Sequence, residues 1–485
     1  MPRHFSLWML WLALTLVAAA TVAGWVFVGG DRSALLLGKT TDAHHQIELA
    51  CESCHASKPF EDEKKAAKAM NKACLTCHKE ELALASDSHP VKKFRDPRNA
   101  DRLEKLNAAF CVTCHTEHRE ELTEPMAVTL PADYCRACHE DVGKNRPSHA
   151  ELEFDTCASG GCHNYHDNKA LYEEFLVKHA DTPATKPQPL RILALEPVKA
   201  RGAGEPLTLA MALAPEDKLQ DSQAVTDWAG SAHAAKGINC AGCHAPKLKK
   251  DKARDLALIT ENWQSDPGPK VCATCHRFQG KSFFSGKHGM RQHPKLAKPR
   301  KAPKGLLNQA AALFSDEPLA PMAVSEGRVA LAESAHGRHI GTCSACHSPH
   351  AQDIQDAAVE ACVACHEDDH SKAYFSSAHY RLWQAEKAGT APKGSGVSCA
   401  GCHLPAVEDD ASGLPFTNHN QNDTLRPAEK MIRPVCMDCH GLRFSIDALA
   451  DPALMQRNFQ GLPAQHIESI DWAVRRVTES KRSNE

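Results

Sequence analysis

The sequence predicts a mainly α-helical fold with short helices, long loops and little β-structure, preceded by one N-terminal transmembrane helix. All 22 cysteines form eleven pairs, and the second cysteine of every pair is followed directly by histidine. Aromatic residues make up only 6% of the 485 residues and the mean hydropathy is −0.42, so something other than aromatic side chains must fill much of the interior. An uncharged run of 26 residues, 5–30, stands near the N-terminus.

Length and charge narrow the class of protein. A chain of 485 residues is long enough for two or three ordinary domains. Lys and Arg together number 57 and Asp and Glu 60, which gives a formal net charge of −3. A nucleic-acid-binding protein would usually carry a strong basic excess, so we expect no nucleic-acid partner.

The uncharged N-terminal run fits a transmembrane helix, which needs about 20 residues, better than the apolar core of a signal peptide, which has about 7–15. Trp8, Trp11 and Trp25 lie toward its ends, where aromatic rings favour the membrane interface. A signal peptide cleaved near residues 18–23 is the alternative. With either a transmembrane helix or a signal peptide, the rest of the chain would be exported. We therefore predict a single-pass protein of the cytoplasmic membrane whose remaining chain lies in the periplasm.

The cysteine pairs carry the strongest signal in the sequence. Ten have the spacing CxxCH, and the eleventh, Cys157 with Cys162, has the longer spacing CxxxxCH. The paired cysteines are Cys51 and Cys54, Cys74 and Cys77, Cys111 and Cys114, Cys135 and Cys138, Cys157 and Cys162, Cys240 and Cys243, Cys272 and Cys275, Cys343 and Cys346, Cys362 and Cys365, Cys399 and Cys402, and Cys436 and Cys439. The histidines that follow them are His55, His78, His115, His139, His163, His244, His276, His347, His366, His403 and His440.

Paired cysteines are typical of disulfides, zinc sites or c-type haem attachment. Disulfides need no neighbouring histidine, and zinc fingers place their histidines further along the chain. Haem attachment uses both features, because the two thiols add to the vinyl groups and the adjacent histidine ligates the iron. We therefore predict eleven covalently attached haem c groups. At the longer motif, Gly160 and Gly161 would let the loop bulge, and a zinc or disulfide pair is the alternative there.

Each haem iron has a second axial position, and 17 further histidines are available once His4 is set aside. Those that follow a motif closely, such as His118, would serve a neighbouring haem, because they are too near their own proximal histidine. Of the adjacent His44 and His45, only one is expected to ligate. The predicted distal ligands are His89, His118, His149, His166, His179, His233, His336, His350, His379 and His419.

The motif positions suggest two modules. We predict an N-terminal anchor or signal peptide over 1–30, a pentahaem module over 31–180, a linker over 181–225 and a hexahaem module over 226–485. The linker is inferred from six prolines and no haem motif between residues 181 and 224. Predicted helices cover residues 61–71, 101–109, 168–179, 380–387 and 466–477.

The pattern resembles the multihaem c-type cytochromes of bacterial respiration, which implies a haem-dense cytochrome fold. The N-terminal module, with CxxxxCH and the CHTEH sequence at residues 114–118, looks like the cytochrome c3-type families. Residues 226–475, with SAHAAKGINCAGCH and GVSCAGCH, are similar to the octahaem lineage of hydroxylamine oxidoreductase and tetrathionate reductase. The catalytic features of that lineage are missing, because no tyrosine follows Tyr380 and no CxxCK motif occurs.

Two functions follow from these features. The first is multi-electron transfer along stacked bis-histidine haems of a membrane-anchored periplasmic cytochrome, with a quinol-oxidising complex or periplasmic cytochromes as redox partners. The second is an oxidoreductase acting on nitrite, hydroxylamine, sulfite or tetrathionate at one open haem. No residue is predicted to be catalytic, and electron transfer is favoured over enzymatic activity.

Overall fold

The computed structural model describes most of the chain, in two compact units. The first comprises Met1–Glu140 and Arg291–Ala320, and the second Asp141–Met290 and Pro321–Glu485. The described residues are 3–28, 36–56, 61–85, 87, 89–123, 127–146, 149–150, 153–155, 157, 165–166, 173–187, 191, 204–220, 222–249, 251–296, 321–351, 353–409, 412–425 and 428–482.

Short helices dominate both units. The α-helices of the first unit are Arg3–Val28, Cys51–Cys54, Glu63–Leu84, Ala100–Lys105, Cys111–Cys114 and Arg136–His139. Those of the second are Val142–Asn145, Glu173–Lys178, Glu216–Leu219, Ser222–Ala229, Ala232–Ala235, Cys240–His244, Leu256–Glu261, Pro269–Cys272, Arg277–Ser285, Ile354–Ala358, Glu360–Val363, Asp369–Tyr374, Ala378–Lys387, Cys399–His403, Asn422–Leu425, Met437–Cys439, Leu442–Leu449, Pro452–Gln456 and Ser469–Arg482.

Single 3₁₀ turns and one small sheet complete the described secondary structure. The 3₁₀ turns are His45–Ile47, Val91–Arg95, Pro97–Asn99, Glu120–Leu122, Leu209–Met211, Met290–Gln292, Val324–Glu326, Glu333–Ala335, Cys343–Ala345 and Ala428–Met431, and Ile432–Cys436 is a π-turn. The strands Ala406–Glu408 and Pro415–Thr417 pair antiparallel, with Val407 opposite Phe416. The prediction of a mainly helical fold with little β-structure is confirmed.

The longest described helix outside the N-terminus begins two residues after the predicted start at residue 61 and ends later than predicted. The carboxylate of Asp62 caps it by accepting hydrogen bonds from the backbone N–H groups of Lys64 and Lys65. Helix Glu63–Leu84 then continues through the second cysteine motif. The predicted end at residue 71 was therefore wrong, because the CxxCH spacing is itself compatible with a continuing helix.

The N-terminal run forms the helix Arg3–Val28. Within the described part of the chain, no helix combines the length and apolar character that crossing a membrane requires, so the predicted transmembrane helix is not supported.

The described residues build three small apolar clusters rather than one large core, and all three lie in the second unit. The largest joins Ile432, the helix Leu442–Leu449 and the C-terminal helix Ser469–Arg482. The residues that the helix Leu442–Leu449 contributes to this cluster are Leu442, Ile446 and Leu449, a spacing that forms one helix face. Ile470 brings the C-terminal helix onto this face with 1% of its surface exposed.

Polar contacts of His466 beside this cluster connect the C-terminal helix Ser469–Arg482 to the helix Leu442–Leu449. The Nδ1 and Nε2 atoms of His466 lie 2.9 Å and 2.8 Å from carboxylate oxygens of Asp447 and Asp471. Arg443 also donates to Asp471 at 2.7 Å, and this contact holds the pKa of Asp471 down at about 2. Hydrogen bonds to Asp447 and Asp471 raise the pKa of His466, since both stabilise the imidazolium.

Replacing Ile470 with alanine should lower the free energy of unfolding of the second unit by about 2–5 kcal/mol, because it leaves a cavity under the C-terminal helix. Thermal unfolding of the haem-loaded protein measures the effect. Leu462→Ala is the matched control, since Leu462 is 78% exposed and its loss should change stability by less than about 0.5 kcal/mol. Equal effects of both variants would contradict the packing described for Ile470.

The stability contributed by His466 should depend on pH. Its pKa is raised on folding, so its contribution is fully present below the unfolded pKa, about 6.5, and is lost as the pH rises through the higher folded value. His466→Gln should therefore lower the melting temperature more at pH 5.5 than at pH 9. A difference between wild type and variant that stays constant over this range would contradict the ion pairs.

Candidate haem-binding sites

Most cysteine motifs form a single turn of helix. In such a turn, residues i, i+3 and i+4 lie on one face, which places both thiols and the histidine together. The backbone shows this turn directly, because the histidine N–H donates to the carbonyl oxygen of the first cysteine. The N···O distance is 2.8 Å from His55 to Cys51 and 2.9 Å from His366 to Cys362. Cys157 is described, but Cys162 and His163 lie outside the described residues.

Among the described residues, nine motif histidines face a second histidine ring. The distances between ring centroids fall between 5.9 and 6.4 Å. The pairs are His55 with His118, His78 with His44, His139 with His89, His244 with His350, His276 with His233, His347 with His419, His366 with His288, His403 with His370 and His440 with His379.

This separation matches the size of one metal ion between two imidazoles. A metal–imidazole bond is about 2 Å and the ring centre lies roughly 1 Å beyond the nitrogen, so two axial ligands have centroids roughly 6 Å apart. Stacked or edge-on aromatic pairs can also lie this far apart. Nine repeats within a 0.5 Å range, each beside two thiols, fit haem iron and not incidental packing.

Several of these rings are oriented through Nδ1, which leaves Nε2 for the iron. Glu117 accepts from His44 Nδ1 at 2.6 Å, and Thr41 donates to the same carboxylate through its N–H at 2.9 Å. Burial is the largest single influence on the pKa of Glu117 and raises it, but the hydrogen bond and charge of His44, together with the hydrogen bonds from Thr41, outweigh it, so the pKa is lowered. A carboxylate on the far nitrogen orients a metal-bound imidazole and strengthens its basicity.

Backbone carbonyls play the same part elsewhere. The carbonyl oxygen of Gly38 lies 2.8 Å from Nδ1 of His118. The carbonyl oxygen of Gln264 lies 2.7 Å from Nδ1 of His244, and that of Ala184 lies 2.9 Å from Nδ1 of His440. At His370, Nδ1 lies 2.5 Å from the carbonyl oxygen of Met455. His370 Nε2 also lies 3.1 Å from Asn458 Nδ2, and iron would replace that contact.

Several candidate ligands are held in the neutral form that iron requires. Burial, with a smaller contribution from nearby histidines, lowers the pKa of His288, His379 and His403 to about 4. His403 Nδ1 is buried without a hydrogen-bond partner among the described residues. These rings are therefore neutral at physiological pH.

The structure brings six of the ten predicted distal ligands against a motif histidine: His89, His118, His233, His350, His379 and His419. The ring of His179 instead lies against the ring of Phe175, with the two ring centroids 4.5 Å apart. His336 is exposed, and no opposing ring is described for it. The ring centroids of His166 and Tyr165 are 4.9 Å apart. The roles of His149 and His166 as distal ligands stay predictions.

Three opposing rings were not among the predicted ligands: His44, His288 and His370. His370 follows a motif histidine by four residues, much as His118 does by three, so this spacing was a usable signal. His44 is one of an adjacent pair, and the sequence does not say which member faces a haem. His288 comes from a basic stretch far from His366 in the chain, and no local pattern identifies it.

Cysteines of successive motifs are neighbours in space. Within each unit, thiols of one motif hydrogen-bond to, or interact electrostatically with, thiols of the next. Burial is the main reason that the pKa values of Cys54, Cys114 and Cys346 rise to about 11, and these neighbouring thiols add to the rise. The neighbouring pairs are Cys54 and Cys77, Cys74 and Cys111, Cys114 and Cys138, Cys243 and Cys272, Cys272 and Cys343, Cys346 and Cys362, Cys362 and Cys399, and Cys402 and Cys436.

Comparison with known proteins agrees with this chemistry. The family model described as cytochrome c3 matches residues 43–140. A high-molecular-weight cytochrome c of Nitratidesulfovibrio vulgaris is 25% identical over 415 residues, covering 82% of this chain. These matches support a multihaem c-type cytochrome. The chain spans 59% of the length of that cytochrome. No solved structure matches the chain.

The matches support only part of the resemblance that the sequence suggests. The cytochrome c3 match covers the motifs that begin at Cys51, Cys74, Cys111 and Cys135, as expected for the N-terminal module. The octahaem lineage of hydroxylamine oxidoreductase and tetrathionate reductase is not shown by either match.

Replacing His288 with alanine should open the sixth position of the haem held by Cys362, Cys365 and His366. One haem should then change from low-spin to high-spin in the electron paramagnetic resonance spectrum, and added imidazole should reverse the change. His339→Ala is the matched control and should leave the spectrum unchanged, because His339 is exposed and is not a predicted ligand. A high-spin signal in the control and none in His288→Ala would contradict the pairing of His288 with His366.

Proposed function

We propose that this protein is an electron-transfer cytochrome that carries eleven covalently attached haems. The observation that supports the proposal most strongly is the set of nine opposed histidine pairs beside cysteine motifs. The haem supplies one-electron Fe(III)/Fe(II) chemistry. The cysteines tether it, and the two histidines set its ligand field and potential.

Closed coordination favours electron transfer over catalysis. An iron with two histidine ligands offers no position to a substrate, so its chemistry is limited to gaining and losing an electron. Reduction of a small nitrogen or sulfur compound is the second candidate, and it requires at least one iron with an exchangeable ligand. All nine described pairs have the separation expected for a closed iron.

The neighbouring thiols support an order for the haems. In the first unit they link the motifs that begin at Cys51, Cys74, Cys111 and Cys135 in succession. In the second unit the same relation runs through the six motifs from Cys240 to Cys436. We propose that electrons pass along each unit in the order of the sequence, since each haem is attached beside the next.

We place the haem-bearing part of the chain in the periplasm, where other cytochromes or a quinol-oxidising complex exchange electrons with it. Residues 1–30 direct the export. N-terminal sequencing of the mature protein tests this: a start after residues 18–23 indicates a cleaved signal, and an intact N-terminus in the membrane fraction indicates an anchor. Recovery of the haem-loaded protein from the cytoplasm would contradict the proposal.

Three measurements on the purified protein test the function. Intact-mass spectrometry should give the mass of the mature chain plus eleven haems, and paramagnetic resonance of the oxidised protein should show only low-spin iron. Reductive titration should consume one electron for each haem. A high-spin signal equal to one haem, together with turnover of nitrite, hydroxylamine, sulfite or tetrathionate, would favour the enzymatic alternative.

A further inference from the structure

A short segment between the two groups of motifs lies against the last haem motif. Its described residues, 182–187 and Arg191, are called the strap here. Thr185 pairs with His440 in an isolated antiparallel bridge, and the backbone N–H of Lys186 donates to the carbonyl oxygen of Cys439 at 2.8 Å. The side chain of Lys186 donates to the carbonyl oxygen of Met437. The sequence predicts a linker here, but these residues make specific contacts with the motif.

The strap also orients the motif histidine. The carbonyl oxygen of Ala184 lies 2.9 Å from Nδ1 of His440. Gly441 permits this approach, because a Cβ atom there would lie 2.5 Å from the carbonyl oxygen of Thr182. The close backbone contact fixes the strap directly beside a haem ligand.

Arg191 extends the strap to the preceding motif, Cys399–His403. Its backbone N–H donates to the carbonyl oxygen of Gly394 at 2.9 Å. Its guanidinium lies over Gly401, between the two cysteines of that motif, and a Cβ atom at this position would collide with Nη1. The glycine therefore makes room for a cation at the site of haem attachment.

The charge of Arg191 is buried and only partly neutralised. Its side chain is 15% exposed, and Nε has no hydrogen-bond partner among the described residues. Glu386 is the one described carboxylate within 4.0 Å, with an N···O distance of 3.7 Å. That carboxylate also accepts a hydrogen bond of 2.5 Å from the backbone N–H of Gly396.

We propose that Arg191 is a positioning residue that raises the reduction potential of the haem attached at Cys399–Cys402, a role that rests on the electron-transfer function proposed above. Cys399, Cys402 and His403 would hold this haem, which would supply one-electron Fe(III)/Fe(II) chemistry in exchange with a neighbouring haem. A nearby positive charge stabilises the state with one positive charge fewer, and its effect is large where water is excluded. The cation would thus make this haem a better electron acceptor.

Spectroelectrochemical titration of the haem-loaded full chain tests the proposal. Arg191→Gln should move the midpoint potential of one haem downward and leave the others in place. Arg191→Lys keeps the charge and should shift that potential less. Glu386→Gln removes the opposing charge and should shift the same potential upward. Arg475→Gln is the control, since Arg475 is 61% exposed and should cause no shift.

The possible results separate this proposal from the function on which it depends. A full complement of haem with unchanged potentials in Arg191→Gln overturns the role of Arg191 alone. Equal downward shifts in Arg191→Gln and Arg191→Lys also overturn it, because the effect is then structural. A wild-type mass without haem overturns the electron-transfer function itself.

Discussion

The arrangement depends on one constraint, the separation of about 6 Å between opposed imidazole rings, which is the space of one metal ion and its two bonds. In all nine pairs the two histidines are more than 30 residues apart in the sequence. Each pair therefore closes a loop of chain, and loop closure has an entropic cost that some interaction must offset. A bond from each ring to iron supplies that interaction.

The small apolar clusters fit this view. The described residues bury a compact group of aliphatic side chains only around the C-terminal helices, whereas the rest of the second unit has clusters of a few residues. Sequence composition agrees, because only 6% of residues are aromatic. Porphyrins attached at intervals along the chain would provide the apolar surface that side chains do not, and the helical turns serve to present thiols and histidines to them.

The sequence alone predicts the part of each haem site that lies within one cysteine motif. The CxxCH spacing predicts a turn that presents both thiols and the proximal histidine, and the structure forms that turn at His55 and His366. The distal histidine of each site is positioned by tertiary contacts between distant parts of the chain. His118 and His350 were predictable from their distance to a motif, but His288 reaches His366 through tertiary structure and carries no local signal. The same holds for Arg191, which its proline-rich surroundings identify only as part of a linker.

The most direct test of the account is the position of iron in an experimental structure of the purified, haem-loaded protein. Anomalous scattering at the iron edge should place one iron between the two rings of each of the nine pairs, including His288 with His366 and His403 with His370. It should also show successive irons following the order of the motifs within each unit. Iron absent from these positions, or bound with only one of the two histidines at most of them, would contradict the account.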